Sequence, residues 1–69
     1  MPFNYDKLRG KITEKFGTVE RFASSLGITA TSAGKKLSNK SGWKQEEIVE
    51  SCNLLGILPE EIPTYFFTA

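Results

Sequence analysis

The chain has 69 residues, a formal net charge of +1 and hydrophobic residues at 39% of its positions. It contains one cysteine, Cys52, and no histidine, which excludes an internal disulfide bond and a zinc site built from Cys and His ligands. A chain of this length buries only about 60% of its unfolded surface, so we expect one domain, residues 1–69, of marginal stability. Its apolar runs are far shorter than a membrane span, and we expect a soluble, cytoplasmic protein.

Helical periodicity predicts a first helix over residues 5–16. Leu8, Ile12 and Phe16 recur every four residues, and Gly17 follows as a stop signal. We therefore expect an amphipathic helix whose apolar side faces the core.

Residues 18–37 predict two short helices joined by a tight turn, which is a helix-turn-helix. Gly27 supplies the left-handed residue that ends the first of these helices, and Thr18 and Thr29 are cap residues at the two helix starts. The second helix is expected over residues 30–38. Helices that pack this closely need small side chains where they cross, and the sequence places two alanines there, Ala23 and Ala33.

The remaining elements are also helical. A polar loop over residues 38–42 precedes a predicted helix over residues 44–55, and Trp43 is expected to pack over the end of that helix. Residues 58–62 predict one further turn, which Pro63 is expected to break. The apolar stripe of the fourth helix is Ile48, Val49, Cys52 and Leu55. The sequence therefore predicts an all-α fold, a compact bundle of about five short helices.

The segment FASSLGITATSAGKKLSNKSGW, residues 22–43, resembles the Cro and repressor class of phage helix-turn-helix regulators. The tail LLGILPEEIPTYFF, residues 54–67, is similar to the closing segment of small Cro-slot and repressor-type proteins of temperate phages of Gram-positive bacteria. This resemblance covers nearly the whole chain. It implies a lambda-repressor-like fold and a transcription regulator that binds double-stranded operator DNA to control the switch between lysis and lysogeny.

The charges are segregated along the chain. Residues 1–44 hold all nine basic residues and three acidic ones, a net charge of +6, whereas residues 45–69 hold five acidic residues and no basic one, a net charge of −5. A basic face beside the helix-turn-helix suits a phosphate backbone, and the acidic end would point away from DNA. Ordinary solvated helix faces are the alternative explanation of the same pattern.

The resemblance implies which residues contact DNA, because in this class the start of the third helix enters the major groove. The expected base-facing positions are Thr29, Ala30, Thr31, Ser32, Gly34 and Lys35. None of them forms a strong bidentate pair with a base, so direct readout is thin. The expected phosphate contacts are Thr18, Lys36, Ser38, Asn39 and Lys40. A homodimer would fit two operator half-sites.

An alternative function keeps the fold and changes the ligand. Some Cro-slot proteins in similar phages are modulators of repression that bind the phage repressor protein, and the acidic half of this chain is complementary to the basic DNA-binding face of a repressor. The tail aromatics either fold back onto the first and last helices or supply a dimer or partner surface. The candidate partner-binding residues are Glu50, Tyr65, Phe66 and Phe67.

Enzymatic function is not expected. The sequence has no histidine, no clustered metal ligands and no glycine-rich phosphate loop, so it indicates no catalytic site, metal or cofactor. The paired acids Glu46 and Glu47 are better explained as first-turn charges that interact with the helix dipole.

Overall fold

Five α-helices and one short 3₁₀ turn, with no strand, make up the computed structural model, which describes residues 2–69. The helices are α1 (Asp6–Phe16), α2 (Val19–Leu26), α3 (Ala30–Leu37), α4 (Gln45–Leu55) and α5 (Ile62–Phe66), and the 3₁₀ turn (Pro59–Glu61) directly precedes α5. The predicted all-α fold of five helices is confirmed, and the predicted bounds of the first four helices agree with the structure to within one residue. No helix within residues 2–69 is long and apolar enough to cross a membrane.

The turn between α2 and α3 follows from three residues with strong local preferences. The Thr18 hydroxyl accepts a hydrogen bond from Arg21 N–H at 3.2 Å, and the Thr29 hydroxyl accepts one from Ser32 N–H at 3.0 Å, so both helices have side-chain caps. Gly27 ends α2 with φ +84°, the left-handed conformation that glycine adopts without steric cost. This arrangement is consistent with the predicted helix-turn-helix over residues 18–37.

The core lies where α1, α2, α4 and α5 meet. Phe22 of α2 is completely buried, and its ring contacts Phe16 edge-to-face with centroids 5.7 Å apart. Ala23 and Ala33 are also buried, as the crossing of α2 and α3 requires. Cys52 is buried as well, and burial raises the pKa of its thiol. The other large side chains with almost no exposure are Leu8, Ile12, Leu55 and Phe66.

The C-terminal segment differs from the sequence-based prediction. Pro63 does not break the last turn but lies in the first turn of α5, where its missing N–H is not needed for helix hydrogen bonding. The Glu61 side chain accepts a hydrogen bond from Leu58 N–H at 3.0 Å and stabilises the preceding 3₁₀ turn. The aromatic tail therefore begins as a helix that packs against α1.

Replacing Ser51 is expected to stabilise the fold. Ser51 is completely buried on α4, and its hydroxyl has no hydrogen-bond partner among the described residues. Because a buried hydroxyl without a partner lowers stability, Ser51→Ala should raise the free energy of unfolding by about 1 kcal/mol in urea denaturation.

The matched control is Ser25→Ala, an exposed helical serine that reports the gain in helix propensity alone. An equal effect of the two substitutions, or a loss of stability in Ser51→Ala, would contradict this prediction.

Candidate functional site

The exposed surface of α3 consists mainly of small side chains. Ala30 and Thr31 are exposed, Ser32 and Gly34 are half-buried, and the exposed Thr29 places its hydroxyl on the helix cap. Lys35 is exposed and carries the only charge among the predicted base-facing positions. The structure thus brings these residues together on one face, with one ammonium group and few groups that discriminate between bases.

Lys36 does not lie on that face. It is 6% exposed, and its Nζ atom lies 3.0 Å from Glu47 Oε1 and donates a hydrogen bond to the Gly42 carbonyl at 3.1 Å. The same ammonium group lies 6.0 Å from the centre of the Trp43 ring. The prediction of a phosphate contact for Lys36 is therefore wrong, because this side chain is buried and joins α3 to α4.

Glu47 is the acidic partner in this junction. Burial alone would raise the pKa of its carboxyl group, but a hydrogen bond from Lys44 N–H at 2.8 Å and the adjacent Lys36 ammonium outweigh that effect. The pKa of Glu47 is therefore held below its usual value, and the carboxylate stays charged at neutral pH. This acid is engaged in the fold and is not part of an open acidic surface.

The loop after α3 has a second internal role. Asn39 adopts φ +65°, and its side-chain amide forms two hydrogen bonds with the backbone of Phe3. Phe3 N–H donates to Asn39 Oδ1 at 2.9 Å, and Asn39 Nδ2 donates to Phe3 C=O at 2.8 Å. This amide holds the N-terminal segment against the loop, and the phosphate contact of the exposed Asn39 stays a prediction.

The remaining predicted phosphate contacts have different environments. The exposed Ser38 hydroxyl donates to Gly34 C=O at 2.8 Å, and its contact with phosphate stays a prediction. Thr18 is exposed but caps α2. Lys40 is exposed and forms no ion pair within residues 2–69. Lys35 and Lys40 are therefore the predicted cations that remain open to solvent near α3.

The four predicted partner-binding residues are split between the core and the surface. Phe66 is 1% exposed and contacts Trp43 edge-to-face at 5.2 Å, so it is a core residue and its prediction as an exposed anchor is wrong. Tyr65 is half-buried against the core. Glu50 is exposed, and Phe67 is 52% exposed with its ring 5.8 Å from that of Phe3.

Trp43 belongs to the same aromatic assembly. It is half-buried, as a core role requires, and its ring lies between Phe66 and Tyr5, whose centroid is 6.3 Å away. Its neighbours are therefore the start of α1 and the end of α5 in addition to α4.

An apolar groove lies between α4 and α5, and we name it the α4–α5 groove. It has a volume of about 890 Å³ and is lined by Gln45, Glu46, Ile48, Val49, Glu50, Ile62 and Phe67. Val49 is 58% exposed, so its predicted place in the buried stripe of the fourth helix is wrong. One signal in the sequence could have shown this, because Ile48, Cys52 and Leu55 already form a complete helical stripe and Val49 is followed directly by an acid, Glu50.

No group of three or more carboxylate or thiol side chains within residues 2–69 is placed to hold a metal ion. The groove and the α3 surface are the candidate binding surfaces of the described residues.

Comparisons with known proteins show the family of this chain and its similarity to a phage protein. The chain belongs to the family described as "Protein of unknown function (DUF739)", whose model matches residues 1–69. It is similar to the solution structure of the modulator of repression (MOR) of the temperate bacteriophage TP901-1 from Lactococcus lactis, with 42% identity and a TM-score of 0.84. That match covers 97% of this chain and 90% of the other. No curated protein sequence matches the chain.

Removing one partner of the Lys36–Glu47 pair is expected to destabilise the fold. Lys36→Met leaves a poorly solvated carboxylate without its cation and should lower the free energy of unfolding by about 3 kcal/mol at pH 7. Because the folded-state pKa of Glu47 is lowered, its contribution is fully present above the usual glutamate pKa of about 4.3 and is lost as pH falls through the folded-state value.

Urea denaturation of the wild type and Lys36→Met between pH 3 and pH 7 measures both effects. The double variant Lys36→Met/Glu47→Gln removes both charges and should recover most of the loss. If the difference between wild type and Lys36→Met did not shrink at low pH, the assigned role of the pair would be incorrect.

Asn39 is expected to hold the N-terminal segment in place. Asn39→Gly keeps the positive φ accessible and removes only the two side-chain hydrogen bonds, so it should cost about 1 to 2 kcal/mol and abolish hydrogen-exchange protection of the Phe3 amide. Asn39→Ala should cost more because alanine is strained at this φ. Retained protection of Phe3 in Asn39→Gly would contradict the assignment.

Proposed function

We propose that this chain is a modulator of phage repression and acts in the host cytoplasm by binding the phage's repressor protein. The observation that carries the proposal is the similarity to the modulator of repression of phage TP901-1 along 97% of this chain. Since the identity is 42% and the TM-score 0.84, the two proteins share a fold in which equivalent surfaces can serve equivalent partners.

The surface of the chain supports a protein partner. Three of the five residues predicted to contact phosphate interact within the fold instead of standing free, and these are Lys36, Ser38 and Asn39. By contrast, the acidic half exposes three large apolar side chains, Val49, Leu58 and Phe67, and two of them, Val49 and Phe67, line the same groove as the exposed carboxylates of Glu46 and Glu50. Apolar area with an acidic rim suits a basic protein surface better than DNA, which repels carboxylates.

Operator binding by the chain itself is the second candidate function. It is favoured by the capped start of α3 and by the exposed cations Lys35 and Lys40 beside that helix. These features supply a phosphate-binding surface of modest charge, so any such binding would be strongly salt-dependent and weakly selective for sequence.

Binding to labelled DNA from the phage's regulatory region separates the two functions. We expect the purified chain alone to give no specific anisotropy change at about 150 mM salt, and we expect it to change the repressor's own binding curve when the two proteins are mixed. The physical reason is that its exposed acids and apolar side chains compete for the repressor's basic surface.

Lys35→Ala should leave that effect on the repressor unchanged, with Lys7→Ala on α1 as the matched lysine control. Specific, salt-sensitive binding of the chain alone that Lys35→Ala weakens and Lys7→Ala does not would instead establish the DNA-binding function.

A further inference from the structure

The α4–α5 groove has the features of a preformed docking site. Its floor is built from the half-buried side chains of Ile48 and Ile62, while Val49 and Phe67 stand in solvent at 58% and 52% exposure. Phe67 is supported from behind by the edge-to-face ring of Phe3, whose backbone is fixed by Asn39. The apolar wall of the groove is therefore held in place before any partner arrives.

The rim of the groove carries negative charge that the fold does not use. Glu46 and Glu50 both line the groove, stand one helical turn apart on α4 and form no ion pair or hydrogen bond within the described residues. Two other acids of this half are engaged elsewhere, since Glu47 pairs with Lys36 and Glu61 caps the 3₁₀ turn. The carboxylates without a partner among the described residues thus lie at the rim of the apolar groove.

The size and chemistry of the groove fit a short helix. The groove is lined along α4 from Gln45 to Glu50, a stretch of about one and a half helical turns, so a helix of about two turns could contact its length. Such a face presents apolar residues three and four positions apart, flanked by residues one turn apart. Basic residues at the flanking positions would meet Glu46 and Glu50.

A second copy of this chain does not fit the groove. Pairing two copies groove to groove would bring four carboxylates, Glu46 and Glu50 of each copy, into one interface, and like charges at an interface are repulsive. Among the exposed large hydrophobic residues of the described chain, the basic half holds only Phe3, and that ring already packs against Phe67 of its own chain. The occupant is therefore a different protein.

We propose that the α4–α5 groove binds a basic amphipathic helix, with apolar side chains against Val49 and Phe67 and Lys or Arg side chains against Glu46 and Glu50. This inference rests on the proposed function, because the protein that presents this helix is the phage repressor. The groove gives that interaction its location and its specificity.

Binding of the purified repressor, measured by isothermal titration calorimetry, tests the groove through matched variants. Val49→Asp places a carboxylate on the apolar wall, and Glu50→Lys reverses the charge of the rim, so each should weaken binding at least about tenfold. The controls are Leu58→Asp, which changes an apolar side chain of equal exposure (56%) outside the groove, and Glu60→Lys, which reverses an exposed acid outside it. Circular dichroism verifies that all four variants fold.

The outcomes separate the groove from the proposed function. Loss of binding confined to Val49→Asp and Glu50→Lys supports the groove. If the repressor binds all four variants like the wild type, or the controls lose as much affinity, the groove assignment is overturned while the proposed function stands.

A second probe covers the case in which the repressor does not bind the wild type, so that the proposed function fails. The probe is a synthetic 14-residue helical peptide of leucine and lysine with one apolar and one basic face. Binding of this peptide that is lost in Val49→Asp keeps the groove assignment, and absence of binding overturns it. A dimer of the chain alone that Val49→Asp dissociates would also overturn it, by showing that a second copy is the occupant.

Discussion

The interaction on which the rest of the structure depends is the buried ion pair between Lys36 and Glu47. It lies where the basic half of the chain meets the acidic half, and it joins the end of α3 to the start of α4. The same ammonium group binds the Gly42 carbonyl, and the same carboxylate accepts the Lys44 N–H, so the pair also fixes the connecting loop. Because a buried charge without a partner is costly, this junction allows few alternative arrangements of α3 and α4. The orientation of α4, and with it the α4–α5 groove, follows from the junction.

The parts of the fold that depend on local signals could be predicted from the sequence. Threonine caps and the left-handed Gly27 act within a few residues of their own position, so the helix starts and ends were correct. The sequence does not reveal the partners of side chains that are distant along the chain. Lys36 looks like a solvated helix residue and Asn39 like a solvated loop residue, yet the partner of Lys36 is Glu47 and that of Asn39 is a backbone 36 residues away. Phe66 and Val49 show the same limit, because a run of apolar residues does not reveal which ones the tertiary packing leaves exposed.

The segregation of charge along the sequence differs from the charge that the surface presents, because some charged side chains pair with each other within the fold. On the basic side, Lys36 pairs with Glu47 within the fold. The exposed side chains of α3 are small, and few of them carry groups that discriminate between bases. On the acidic side, the carboxylates without internal partners include Glu46 and Glu50, which flank exposed apolar side chains. The predicted helix-turn-helix is therefore compatible with the proposal that the partner-binding surface lies on α4 and α5. The similarity to the TP901-1 modulator of repression supports the proposal that the chain acts through a protein partner.

The most direct test of this account is an NMR titration of the ¹⁵N-labelled chain with unlabelled repressor. The account predicts that the amides of residues 46–50 and of Phe67 shift or broaden during the titration, while those of residues 30–35 on α3 stay unchanged. The opposite pattern, with changes confined to α3 and none along α4, would contradict it and return the recognition surface to the helix-turn-helix.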